Sequence, residues 1–302
     1  MTGKQSRAPD VSGQSERTSL LRHGALGADI PIAMNTVTIR PASFLKKLRT
    51  ISEGGFAGVG LWMNEIDNYL KEPNARPVNE LLQEFRLAPV EMHSFHDWQY
   101  LSSAERKQFN REAKDFFLKV NKMGIDCPVA AIATYDRVGK ISEAVRDFKE
   151  LCAIAEDFGI RVMFESVGWS KQFHDLNPSW EVVAGADCAN GGLLFDTFHF
   201  VKTGSKLEDL EKISMEKVFL VHISDAKPLA LDFKEQSRKF RFHPGEGEAP
   251  LKDIVKSLAN GGYQGFYCVE LFNEQYWADD PVTVVSDSKA SLDKLFGSLS
   301  HP

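Results

Sequence analysis

Four side chains able to ligate a metal each close a short apolar run. Ile160-Arg161-Val162-Met163-Phe164 leads into Glu165, and Gly191-Gly192-Leu193-Leu194-Phe195 into Asp196. Val218-Phe219-Leu220-Val221 leads into His222, and Gly265-Phe266-Tyr267-Cys268-Val269 into Glu270. Runs of this length and character read as buried parallel strands, and in an α/β barrel the C-terminal tips of such strands line the active site. Two Glu, one Asp and one His at successive tips form a mixed oxygen and nitrogen donor set for one divalent cation. His199, three residues beyond Asp196, belongs to the same mouth.

Such side chains converge only if the strands that carry them close on one another. From about residue 27 onward, short apolar runs alternate with amphipathic segments, the pattern of strands joined by crossover helices. The first strand is expected at 28–34 and the second at Val59-Gly60-Leu61-Trp62. Pro89-Val90-Glu91-Met92-His93 follows as the third and 129–133 as the fourth, ahead of the four runs above. Helices are expected over 43–54, 102–123, 142–158, 180–186, 206–213, 251–260 and 282–299; Gly124 and Gly159 stop the second and third of these. Eight alternations predict an α/β fold: a single-domain (β/α)8 TIM barrel over residues 27–302. Residues 1–26, rich in Ser, Gly, Arg and Gln and without apolar periodicity, read as a flexible N-terminal extension. The 225–240 segment is long enough to close over the mouth or to meet a neighbouring subunit of a homo-oligomer.

The chain has 302 residues, 43% of them hydrophobic, enough for one large core. A net charge of −6 argues against a general nucleic-acid or anionic-membrane surface. Its 4 Cys lack metal-site spacing and most lie in apolar stretches, which points to reduced thiols and a cytoplasmic setting. No apolar run reaches membrane-spanning length, so neither a membrane nor nucleic acid is an expected partner.

The segments Asn190-Gly-Gly-Leu-Leu-Phe-Asp-Thr-Phe-His-Phe, Val221-His-Ile-Ser-Asp-Ala, Arg241-Phe-His-Pro-Gly-Glu-Gly-Glu and Val269-Glu-Leu-Phe-Asn together resemble the xylose isomerase-like TIM barrel family of sugar isomerases and epimerases. Within it they are most similar to the branch of inosose isomerase, tagatose epimerase and the dehydratases of inosose and 3-dehydroshikimate. The first half agrees more generically, through Asn35-Thr36-Val37-Thr38 and the run from Gly55 to Trp62.

The resemblance implies that Glu165, Asp196, His222 and Glu270 bind one divalent metal ion. Their donors suit Mn²⁺, Mg²⁺ or Co²⁺, with Zn²⁺ also admissible. It also implies that Glu165 and Glu270 are catalytic, moving a proton next to a carbonyl through an enediolate that the metal stabilises. His199 and Arg241 resemble family residues that hold substrate oxygens, and His93 and Trp62 would form the pocket wall. Glu246 in Pro244-Gly245-Glu246-Gly247 would orient that loop or a ligand from behind. The partner is then a small sugar or cyclic polyol ketone, and the expected activity is that of a metal-dependent isomerase or epimerase.

A dehydratase of a cyclic hydroxyketone, of the inosose or 3-dehydroshikimate type, would use the same enolate. Some dehydratases carry a His two residues after the fifth-strand Glu, where this chain has Val167. An endonuclease IV-like repair nuclease shares the barrel but needs further His ligands, and the fourth strand runs into Ala133-Thr134-Tyr135-Asp136 without one. A sugar-binding barrel without catalysis would be expected to have lost at least one of the four ligands.

Overall fold

The structure, a computed structural model, describes residues 30–299. Eight parallel strands close into a barrel in chain order: β1 (Ile32–Asn35), β2 (Gly58–Trp62), β3 (Ala88–Phe95), β4 (Val129–Ile132), β5 (Val162–Glu165), β6 (Gly191–Asp196), β7 (Val218–Ile223) and β8 (Tyr267–Val269). The ring shuts where Ile32, Ala33 and Met34 of β1 pair with Tyr267, Cys268 and Val269 of β8. Continuous apolar runs form these strands because both their faces are covered, by the barrel interior and by the helical layer. The expected barrel is therefore present, with β1 and β8 shorter than the apolar runs that announced them. The extension read over 1–26, and the start of the first strand, lie outside the described residues.

The outer layer begins with α1 (Phe44–Glu53), α2 (Met63–Tyr69), α3 (Val78–Glu84), α4 (Ser103–Lys122), α5 (Ile141–Glu156) and α6 (Leu176–Ala186). It continues with α7 (Thr197–Lys202), α8 (Leu207–Leu210), α9 (Phe233–Lys239), α10 (Leu251–Asn260), α11 (Glu274–Ala278) and α12 (Pro281–Gly297). Helix α4 starts where the sequence places it, because Ser102 Oγ accepts from Glu105 N–H and Glu105 Oε2 accepts from Ser102 N–H at 2.8 Å. It ends at Gly124, whose φ of 66° suits a residue without Cβ. Three differences from expectation stand out. The 206–213 helix is only α8, the 225–240 segment contains α9, and α2 and α3 fill the β2–β3 connection.

One glycine shapes the interior near the site. A Cβ on Gly60 of β2 would collide with the Glu91 carboxylate and lie 3.0 Å from Asn35 Nδ2. Its absence leaves room for a charged group inside the barrel.

Candidate active site

Glu165 and Asp196 end β5 and β6, His222 lies near the end of β7, and Glu270 follows β8 directly. Asp196 and His222 are register partners across β6 and β7. All four are buried, at most 4% exposed, so their charges are shielded from water and must be answered by protein groups or a ligand. The barrel thus gathers at one end the four residues that the apolar runs pointed to.

His222 orders the centre. Its Nε2 lies 2.9 Å from both oxygens of Glu91, a fully buried carboxylate on β3, and the ring donates its proton there. Nδ1 has no hydrogen-bond partner, yet it faces Glu270 Oε2 at 3.3 Å and Glu165 Oε1 and Asp196 Oδ2 at 3.9 Å each. A buried imidazole nitrogen aimed at three carboxylates, its ring anchored by a fourth, is the arrangement of a metal-ligating His. Asp196, His222 and Glu270 offer donor atoms within 4.8 Å of one another, as do Glu165, Asp196 and His199, and imidazole with carboxylate oxygens fits a divalent cation such as Mn²⁺, Mg²⁺, Co²⁺ or Zn²⁺.

Charge balance leads to the same place. Among the described residues, Glu91, Glu165, Asp196 and Glu270 face a single permanent cation, Arg241, which is 3% exposed. Arg241 Nη1 donates to Asp196 Oδ2 at 2.7 Å and to Glu270 Oε2 at 2.9 Å. Nε donates to the Ser237 carbonyl and Nη2 to Ser237 Oγ, while the guanidinium lies between the Phe198 and Phe272 rings. The other oxygen of Asp196 caps α7 through Phe198 and His199 N–H.

The carboxyls respond differently. Burial pushes Glu165 up to about 8, with Glu270 and Asp196 adding to the rise and His222 opposing it. Burial also opposes ionisation of Glu270, but the charges of His222 and Arg241 outweigh it and hold that carboxyl well below its ordinary range. Asp196 is lowered likewise: burial resists, and Arg241, His199 and His222 prevail. Burial drops His199 to about 4, so its imidazole is neutral at ordinary pH.

The remaining expected wall residues are close by. Trp62 stacks on His93 with ring centroids 4.2 Å apart and planes at 2°. Asn35, at the end of β1, accepts from Trp62 Nε1 at 2.7 Å and donates to Glu91 at 2.6 Å, tying the wall to the anchor of His222. His93 Nε2 is 3.5 Å from Glu270 Oε1. His199 receives Gly168 N–H at Nδ1 and packs against Phe233 of α9. Trp62, His93, Glu165, His199, Arg241 and Glu270 all line one cavity of about 440 Å³, large enough for a six-carbon substrate.

Glu246 is not brought to this centre. It is exposed, and its carboxylate accepts from Tyr276 Oη at 2.8 Å. Asp225 holds that loop instead, accepting from Gly245, Ala226 and Ala249 N–H. Glu91, Asn35 and Ser237 also escaped the sequence reading. For Glu91 a signal existed: it lies two residues before His93 in a strand, so both side chains face the same way.

A parallel eight-stranded barrel with a buried carboxylate–imidazole cluster at its C-terminal end places a candidate metal site on a TIM scaffold. Residues 48–295 match the model of the xylose isomerase-like TIM barrel family, and the chain belongs to that family. It is 29% identical over 237 residues to a 3-dehydroshikimate dehydratase of Pseudomonas aeruginosa, covering 77% of this chain and 37% of that protein. The chain thus spans little more than a third of the dehydratase. It is 25% identical to an inosose isomerase of Halalkalibacterium halodurans, covering 84% of this chain and 93% of the relative. Among solved structures, a crystal structure of the IolI protein with a zinc atom superposes with a TM-score of 0.81 at 21% identity, covering 89% of this chain and 99% of that one. No helix among the described residues is long and apolar enough to cross a membrane.

Proposed function

We propose that this chain is a divalent-metal-dependent isomerase or epimerase that moves a proton next to the carbonyl of a ketose or cyclic polyol ketone. The observation that carries the reading is His222 Nδ1, unpartnered and facing three carboxylates while Glu91 holds the opposite nitrogen. Glu165, Asp196, His222 and Glu270 would hold the cation, which when bound supplies Lewis-acid polarisation of the substrate carbonyl. The zinc in the IolI structure and the isomerase names of several relatives support it.

The protein's own groups divide the proton work. Glu270, whose Oε2 accepts from Arg241 at 2.9 Å, takes the proton from the carbon beside the carbonyl. Glu165, on another strand of the barrel, returns a proton from another side of the substrate. His199, neutral, hydrogen-bonds a substrate hydroxyl, and Arg241 answers the developing negative charge. The Trp62–His93 stack covers one wall and keeps water away.

A second reading, dehydration of a cyclic hydroxyketone, has the 29% identity to a 3-dehydroshikimate dehydratase in its favour. It shares proton removal and differs in expelling a β-hydroxyl. Proton NMR of the Mn²⁺-loaded protein in D₂O, with ketohexoses, inosose and 3-dehydroshikimate, separates the two. Deuterium beside the carbonyl together with an isomer supports isomerisation; an enone or aromatic product supports dehydration. Glu270→Gln is expected to lower turnover at least about a hundredfold with the fold intact, and a fully active variant would refute its role.

A further inference from the structure

The Asn35 amide uses every hydrogen-bonding position it has, and its two ends serve different parts of the site. Asn35 closes β1 and is fully buried. Its Oδ1 accepts from Val37 N–H at 3.0 Å, capping the 3₁₀ turn Thr36–Ile39, and from Trp62 Nε1–H at 2.7 Å. Its Nδ2 donates to Glu91 Oε1 at 2.6 Å and to Glu270 Oε1 at 3.3 Å. Turning the amide over would set an NH₂ group against two N–H donors and an oxygen against two carboxylates, so the partners fix its orientation.

The strands deliver this amide to both carboxylates. Asn35 is the register partner of Gly60 on β2, and Gly60 in turn of Glu91 on β3, so the three form one row across the barrel. The middle member has no side chain, and a Cβ there would lie 3.0 Å from Asn35 Nδ2 and collide with Glu91. On the other side Met34 pairs with Val269, which puts Asn35 level with Glu270. Glu270 is gripped at its second oxygen, Oε2, by Arg241 at 2.9 Å, so a bond at each oxygen limits rotation of the carboxylate. Glu91 fixes Nε2 of His222. One NH₂ group thus touches a candidate metal ligand and the carboxylate that aims another.

We infer that Asn35 is a positioning residue of the metal site, setting the rotation of Glu270 directly and the aim of His222 through Glu91. The inference rests on the proposed metal-dependent function, whose ligands it orients. Asn35 acts from behind: it is not among the residues that line the cavity with Trp62, His93, Glu165 and Glu270. Donors to charged acceptors hold more strongly than neutral pairs, and losing a partner that orients a metal ligand typically costs 10–100-fold in metal affinity.

The competing role, a cap and a bolt for the Trp62 wall, predicts a different pattern in two variants of the full chain. In Asn35→Ser the hydroxyl can still cap Val37 N–H but is too short to reach either carboxylate; Asn35→Ala loses the cap as well. Asn35→Ser should melt above Asn35→Ala, yet both should bind Mn²⁺ about 10–100-fold more weakly than wild type. Competitive titration against a chelator, well below both melting temperatures, reads the affinities. Affinities within about twofold of wild type, or losses that simply follow the melting temperatures, overturn the inference. A crystal structure of the Mn²⁺-loaded wild type needs no variant: Nδ2 beyond hydrogen-bond distance of Glu91 and Glu270 overturns it too. A wild type that binds no divalent cation sinks the proposed function and this inference together, whereas tight wild-type binding with unweakened variants sinks this inference alone. Weakened variants beside a wild type that exchanges no deuterium sink proton transfer alone.

Discussion

The two nitrogens of His222 have separate tasks, and Glu91 keeps them separate. With Nε2 held by Glu91 at 2.9 Å, Nδ1 is fixed toward Glu165, Asp196 and Glu270. A carboxylate behind a ligating His raises its basicity and holds its orientation, and its removal typically costs 10–100-fold in metal affinity. Glu91→Gln should therefore weaken Mn²⁺ binding about 10–100-fold with an unchanged circular dichroism spectrum. Affinity within twofold of wild type, read by competitive titration with a chelator, would remove Glu91 from this role. The four candidate ligands were legible because each ends an apolar run, where a polar residue stands out. Glu91 offered only its alternation with His93, because it lies inside its strand, accommodated by the space at Gly60 and by bonds from Asn35 and His222. Those partners come from three other strands, a convergence that local sequence does not display. Glu246, which the resemblance placed behind the loop or a ligand, is turned outward to Tyr276.

Helix α9 is the element that turns a ring of strand tips into an enclosed site. Its Asp232 cap accepts from Glu235 N–H, and Gln236 bonds to the carbonyls of Leu229 and Leu231. From this short scaffold Phe233 packs on His199 and Trp169, and Ser237 grips Arg241 through two hydrogen bonds. The sequence Phe-Lys-Glu-Gln-Ser-Arg-Lys has no apolar stripe, so periodicity could not reveal a helix held by its end bonds and one aromatic side chain. Docking depends on Gly168, where a Cβ would run into the Phe233 ring. Gly168→Ala should displace α9, cost about 1–3 kcal/mol from overpacking, and lower turnover more than tenfold by loosening Arg241. Thermal melts and steady-state kinetics check both numbers. Unchanged kcat with a lowered Tm would confine α9 to a structural role.

At the scale of the whole molecule, the barrel tolerates a concentration of buried acid that a fold selected for stability alone would avoid. Closure gives every strand two neighbours and brings β5 through β8 to one mouth, a topology that the strand–helix alternation made legible. The electrostatic cost was not legible, because it arises only when side chains far apart in sequence share one dry volume. Glu165 reports that cost. A carboxyl with a higher pKa in the folded chain than in the unfolded one makes folding take up a proton. Its contribution is complete below the ordinary value of 4.5 and is lost as pH rises toward about 8. Glu270 and Asp196, both lowered, give the opposite slope, but only in acid, below that window. In chelator, Glu165→Gln should therefore be no more stable than wild type near pH 4.5, and more stable by over about 1 kcal/mol at pH 8. Excess Mn²⁺ should reverse the order, because a cation at 100 times its Kd stabilises the wild type by about 2.7 kcal/mol while the variant has lost a ligand. Urea titrations across this pH range, with and without metal, decide it. Parallel pH profiles for the two proteins would show that Glu165 carries no unusual burden. A variant stabilised by Mn²⁺ as strongly as the wild type would show that Glu165 is not a ligand.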